Sequence, residues 1–135
     1  MRKQKNNFSN NDGVLKDWID PYNGPAIYAL IDENGKAYIG KSNKLQERLL
    51  NHRRDMNRII LGLPPHHESA KIIQAVNDGH IFTVKILIKP FEVTHNQLCE
   101  LEQYFFKLYG GIKETYNSTL PTEPNYWVDS YNKIL

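Results

Sequence analysis

The chain is poor in three things that help decide its class. It carries a single cysteine, Cys99, in 135 residues. No internal disulfide can form, so a reducing, cytoplasmic setting is the expectation. No apolar run approaches the roughly 18 residues that a bilayer span needs, which argues against a membrane partner. The net charge is only +2, too small to identify a partner on its own. Internal repeats and low-complexity tracts are missing as well. The opening MRKQKNNFSNNDG is basic and rich in Asn but has no apolar stretch, so it is not expected to be a secretory signal.

The length suits one domain with a modest core. Residues 1–20 form a polar segment, expected to be partly ordered with an anchor at Trp18. Residues 21–120 make the domain. Residues 121–135, rich in Pro, Asn and Tyr, are expected to pack back on it through Tyr126 and Trp127. The distribution of charge says more than the total. Between Lys36 and Arg58 stand seven basic residues against Glu47 and Asp55. A basic stripe on a nearly neutral chain suits a phosphate-binding face, although a solvated helix face accounts for it equally well.

Residues 26–32 and 36–41 read as two strands around Glu33-Asn34-Gly35, since Asn-Gly between β-rich runs is a hairpin signal. A three-residue loop with Gly35 at positive φ would pair Asp32 with Lys36 and Leu30 with Tyr38. Tyr28 and Tyr38 would then be diagonal neighbours on one face. A helix follows, with Asn43 as the expected N-cap and Gln46 completing a capping box. Its apolar stripe is Leu45, Leu49, Met56 and Ile59 or Ile60, and Arg48 and His52 share one of its faces. Residues 69–78 read as a second helix with Ala70 and Ile73 inward, together with Ile72 and Val76. Residues 80–89 read as a third strand. A capping box from Thr94 to Gln97 opens a helix to about Tyr109, with Leu98, Leu101, Phe105 and Leu108 as its stripe, and Gly110-Gly111 stops it. The fold class is therefore α+β: a small three-stranded, mostly antiparallel sheet flanked by helices.

Several polar residues stand where apolar ones would cost less. Glu102 borders the core stripe of the last helix, and a carboxylate near a core calls for a cation, either a side chain or a metal ion. Tyr28, Tyr38, Arg48 and His52 each have an ordinary packing role as an alternative. Their order and spacing carry more weight than any one of them.

From Ala26 to Asn117 the chain resembles the GIY-YIG nuclease domain. Ala26-Ile27-Tyr28 and Tyr38-Ile39-Gly40 stand for the two triplets, with Ala in place of the first Gly. Arg48 and His52 give the Arg-x-x-x-His pair, Glu102 the acidic residue of a later helix, and Asn117 the Asn beyond it. His67 and Lys71 are similar to a His-x-x-x-Lys element of some phage-type members. The resemblance implies a GIY-YIG-like α/β sandwich and an endonuclease that hydrolyses phosphodiester bonds in DNA, using one Mg²⁺ or Mn²⁺ ion held by Glu102. It also implies a nucleophilic water oriented or deprotonated by Tyr28 and aligned by Tyr38 and His52. Arg48 and Lys41 would hold the phosphate, and Asn117 would fix Glu102 or metal-bound waters. Lys36, Lys44, Arg53, Arg54, His67 and Lys71 are the candidate nucleic-acid contacts. An RNA-cleaving or toxin-like member, or a non-catalytic nucleic-acid-binding module of the same fold, is the alternative. With no second DNA-binding module recognisable, specificity is expected from loops, termini or a partner. Double-strand cleavage would call for a homodimer or sequential nicks. The cytoplasm would be that of a bacterial or phage-infected cell, or an equivalent reducing compartment.

Overall fold

A computed structural model describes residues 13–121. Tyr126, Trp127 and nearly all of the tail lie outside the described residues, as do residues 1–12 of the polar segment. In chain order the elements are β1 (Ala26–Asp32), β2 (Ala37–Ser42), α1 (Leu45–Ile60), α2 (Ala70–Asn77), β3 (Phe82–Ile88), α3 (His95–Leu108) and the single turn α4 (Gly111–Glu114). The strands form one antiparallel sheet in the order β2-β1-β3. Among the described residues no helix is long and apolar enough to cross a membrane.

The hairpin takes the odd loop that side-chain parity requires. Asp32 N–H donates to Lys36 O at 2.9 Å, Leu30 faces Tyr38, and Gly35 has φ +91°. Central β1 is buried on both faces. Ala26, Tyr28 and Leu30 pack with α1 and α2, while Ile27 and Ala29 pack with Leu98 of α3. Leu45, Leu49, Met56 and Ile59 fasten α1 to the sheet, each burial contributing about 1.5–3 kcal/mol. That apolar contact carries two polar members of the same helix, His52 and Asp55, into the interior.

Three expectations need correction. Asn43 does not cap α1: the helix starts after Lys44, which makes no side-chain cap. Asn23, just before β1, instead accepts from Gln46 N–H at 2.8 Å. The Gln46 side chain is occupied elsewhere, donating to Asp20 O and Tyr22 O and accepting from Trp18 Nε1. A cap delivered from 23 residues away leaves no local pattern. On α3 the buried set is Asn96, Leu98, Cys99, Glu102 and Phe106, and Leu108 is 62% exposed. Leu101 and Phe105 are half-buried against the same cluster as Leu98, so Leu108 is the one member of the expected stripe that faces out. On α2, Ala70 is exposed, and Ile72, Ala75 and Val76 are buried. Within the polar segment, residues 14–16 run beside the start of β3. Leu15 is buried beside Phe82, whose N–H and C=O bond Val14 O and Lys16 N.

Candidate active site

The two hairpin tyrosines owe their arrangement to a glycine. Tyr28 stands opposite Gly40, and a Cβ on Gly40 would lie 2.4 Å from Tyr28 Cζ. Only a bare backbone lets the ring lie flat over the strand. Tyr38 is the diagonal neighbour, its ring centroid 6.4 Å from that of Tyr28, and His52 stands edge-on to both at 5.6 and 5.5 Å. The four-residue spacing on α1 brings Arg48 and His52 down together. His52 Nε2 is 2.7 Å from Tyr28 Oη, and Arg48 Nε donates to the same oxygen at 3.3 Å.

Strand parity places Lys41 on the opposite face of the sheet, toward α3. There Lys41 Nζ is 3.5 Å from Glu102 Oε1. That is ion-pair range but too long for a good hydrogen bond, and this buried oxygen has no hydrogen-bond partner. Glu102 is buried, with 7% of its surface exposed, while Glu100 faces solvent. Burial pushes the Glu102 carboxyl above its ordinary pKa, and the charges of Lys41 and Arg48 only partly counter it. Because the charge of Arg48 reaches Glu102, the two sides of the sheet meet electrostatically.

They meet along β2, which is an edge strand. A cleft of about 430 Å³ runs there, with Tyr38, Lys41, His67, Glu68, Glu102 and Asn117 among its lining residues. Of the two hairpin tyrosines, Tyr38 lines this cleft and Tyr28 does not. Tyr28 is 0% exposed, sealed beneath α1 and over Gly40. Burial raises its phenol well above the ordinary value; Tyr38 adds to this and Arg48 opposes it. Tyr38 is raised too, again chiefly by burial and against the pull of Arg48. Asn117 accepts from Ile39 N–H and donates to Ile39 O, both at 2.9 Å, and Tyr116 N–H donates to Ala37 O. Its amide therefore closes the open edge of β2 beside the cleft.

The predicted basic stripe disperses. Arg53 stacks on Trp18 and pairs with Asp17, Lys36 lies over the Tyr116 ring at the hairpin turn, and Lys71 Nζ donates to the carbonyls of Ile112 and Thr115. Lys44, just before α1, and Arg54 on α1 remain exposed, with Lys44 near Glu47. His67 reaches the cleft rim, its N–H held by Asp55.

Two buried acids escape sequence reasoning. Asp55 accepts from His66 N–H and His67 N–H, pinning the loop before α2. Glu68 on that loop has a side chain only 1% exposed, with Oε2 2.8 Å from His52 Nδ1 and Oε1 buried without a partner. A signal was present. Ser69 caps α2, so Glu68 occupies the position before the cap, where an apolar residue usually packs against the first turn.

Among the described residues no three His, Cys, Asp or Glu side chains cluster to hold a metal. Glu102, a hard oxygen donor short of positive charge, is the residue present that suits a divalent cation sharing its remaining coordination with water. The GIY-YIG catalytic domain model matches residues 24–117, well over half of the chain. Neither the curated proteins nor the solved structures gave a match. The chain belongs to the GIY-YIG catalytic domain family, whose members are generally nucleases.

Proposed function

We propose that this domain is an endonuclease that hydrolyses phosphodiester bonds in DNA, assisted by one Mg²⁺ or Mn²⁺ ion on Glu102. The observation that supports this best is the convergence of Tyr38, Lys41 and Glu102 on one cleft, with the charge of Arg48 behind them. A bound divalent ion supplies Lewis-acid charge for a phosphate oxygen and the leaving oxygen. The chain's own residues supply the rest.

Arg48 grips the phosphate with its planar fork and carries a fixed positive charge to the reacting phosphorus. Lys41, drawn from its long contact with Glu102, holds a second phosphate oxygen. Tyr38 is the phenol on the cleft wall, so orientation of the attacking water falls to it and not to sealed Tyr28. Burial keeps the Tyr38 proton on at neutral pH; the phenol therefore positions the water by hydrogen bonding and acts as a base only while Arg48 and Lys41 lend positive charge. Tyr28 and His52 hold Arg48 from behind. His67 at the rim and exposed Lys44 and Arg54 serve the flanking backbone. Lys36, Arg53 and Lys71 have internal partners and contribute less.

Supercoiled plasmid incubated with Mg²⁺, with and without EDTA, tests the reading. Nicking that EDTA stops, and that Arg48→Ala and Glu102→Ala each lose without change in the far-UV spectrum, supports it. Full cleavage by either variant refutes it. A parallel RNA substrate cut in preference to DNA would move the substrate to RNA. Binding without cleavage would make the domain a nucleic-acid-binding module.

A further inference from the structure

From donor counting around the sealed tyrosine we infer that Glu68 is a positioning residue, setting the aim of Arg48 through His52 and Tyr28. This rests on the function proposed above. The Tyr28 hydroxyl has one proton and two lone pairs. Arg48 approaches it with Nε–H and offers only donors. The Tyr28 proton therefore needs another acceptor, and the neighbour in range is His52 Nε2 at 2.7 Å. Nε2 can accept only when it is bare, which puts the neutral ring's proton on Nδ1. Nδ1–H in turn needs an acceptor, and Glu68 Oε2 stands 2.8 Å away. The chain then runs in one direction: His52 Nδ1–H to Glu68, Tyr28 O–H to His52, Arg48 Nε–H to Tyr28.

Reversing any link breaks the next. With the proton on Nε2, His52 would donate to Tyr28, and the Tyr28 proton would be left among donors in a pocket without solvent. The unpaired phenol proton would then disturb the Arg48 contact on the same oxygen. Glu68 is what forbids that tautomer. It borders the cleft, but Oε2 faces His52 and its second oxygen is buried without a donor, so its hydrogen bonding is directed at His52. Asp55 keeps it there by holding the N–H groups of His66 and His67, the two residues before it.

The test pairs spectroscopy with a mutant cycle. ¹⁵N shifts of His52 near neutral pH, in the full chain without metal, should report a protonated Nδ1 and a bare Nε2 in the wild type. Glu68→Gln should show mixed tautomers. A protonated Nε2 in the wild type, or an unchanged tautomer in Glu68→Gln, overturns the inference whether or not the domain cleaves DNA. In plasmid nicking with Mg²⁺, Glu68→Gln and Tyr28→Phe should each lower kcat, on the order of 10²-fold for a misplaced catalytic group, with KM little changed. The double variant should be no slower than Tyr28→Phe, because both break one chain. Multiplying losses would show that Glu68 acts by another route and would overturn it. If Glu68→Gln does not fold, the wild-type tautomer decides. A wild type that cuts nothing sinks the proposed function, and the tautomer assignment still stands or falls on the spectra.

Discussion

Two carboxylates of this domain keep the same small share of exposed residue surface and behave in opposite ways. Asp32, at the hairpin end of the sheet, and Glu102, at the cleft, each keep 7% of their surface. Burial pushes the Asp32 carboxyl up, but the Tyr116 hydroxyl and the N–H groups of Lys36 and Asn34 outweigh it, and the group lies below its ordinary pKa. At Glu102 burial prevails over Lys41 and Arg48, and the group lies above. The difference is in the donors. Asp32 Oδ1 accepts from Asn34 N–H at 2.8 Å and Lys36 N–H at 3.0 Å, and Oδ2 accepts from Tyr116 at 2.5 Å. Glu102 Oε1 has one ammonium at 3.5 Å. A buried acid whose oxygens are satisfied holds a turn together. One left short of donors is suited to a cation or phosphate-bound partner that arrives later, and it weighs on stability until then.

The largest effects should separate the two sites. Glu102→Ala should lower plasmid nicking by at least 10²–10³-fold, the usual order for a preorganised electrostatic group, with little change in melting temperature. Asp32→Ala should do the reverse. It strands the two turn N–H groups and the Tyr116 hydroxyl, costing about 3 kcal/mol, while the folded fraction keeps its cleavage rate. Denaturant titration and nicking assays on the same preparations check both. A Glu102→Ala protein that unfolds easily but still cuts would erase the distinction.

Two glycines of the same hairpin sharpen the comparison at smaller magnitude. Gly40→Ala drives a methyl into the sealed Tyr28 ring. It should cost about 1–3 kcal/mol as overpacking and also slow nicking, since Tyr28 anchors Arg48. Gly35→Ala meets open space but must adopt φ +91°, costing on the order of 1 kcal/mol and leaving the rate per folded molecule untouched. If both variants cut like the wild type, Tyr28 does not aim Arg48.

Much of the framework was legible in the sequence because it rests on local rules. Asn-Gly and parity placed Tyr28 and Tyr38 on one face, a four-residue step put Arg48 beside His52, and Thr94 with Gln97 opened α3 as a full capping box. What depended on distant contacts was not legible. Asn23 caps a helix from before the sheet, Leu15 adds to the core from a polar segment, and Cys99 and Phe106, not Leu108, complete the inward face of α3. In the site, spacing named Tyr28 but could not show that α1 seals it. Asn117 stood in the right place for a ligand-orienting residue, yet its amide closes a strand edge. Glu68 was missed because its importance comes from a histidine 16 residues away, and its one local sign was a charge where an apolar residue usually packs.

The smallest effects lie in the pH dependence of stability, measured by thermal melting in EDTA. Asp32 has a folded pKa below its usual 3.8. Just below that value the unfolded chain binds more protons, so stability rises with pH through this window and is fully present above it. Asp32→Asn should lower the neutral melting temperature and flatten the acid limb. Glu102 has a folded pKa above its usual 4.5. From there up to the raised value the folded chain binds more protons, so stability falls as pH rises, and the penalty is complete above the raised value. Glu102→Gln should raise the neutral melting temperature and remove that slope. Adding Mg²⁺ should then stabilise the wild type by mass action and leave Glu102→Gln where it was. Equal shifts in both proteins would place the cation away from Glu102, and the contrast between the two carboxylates would be one of packing alone.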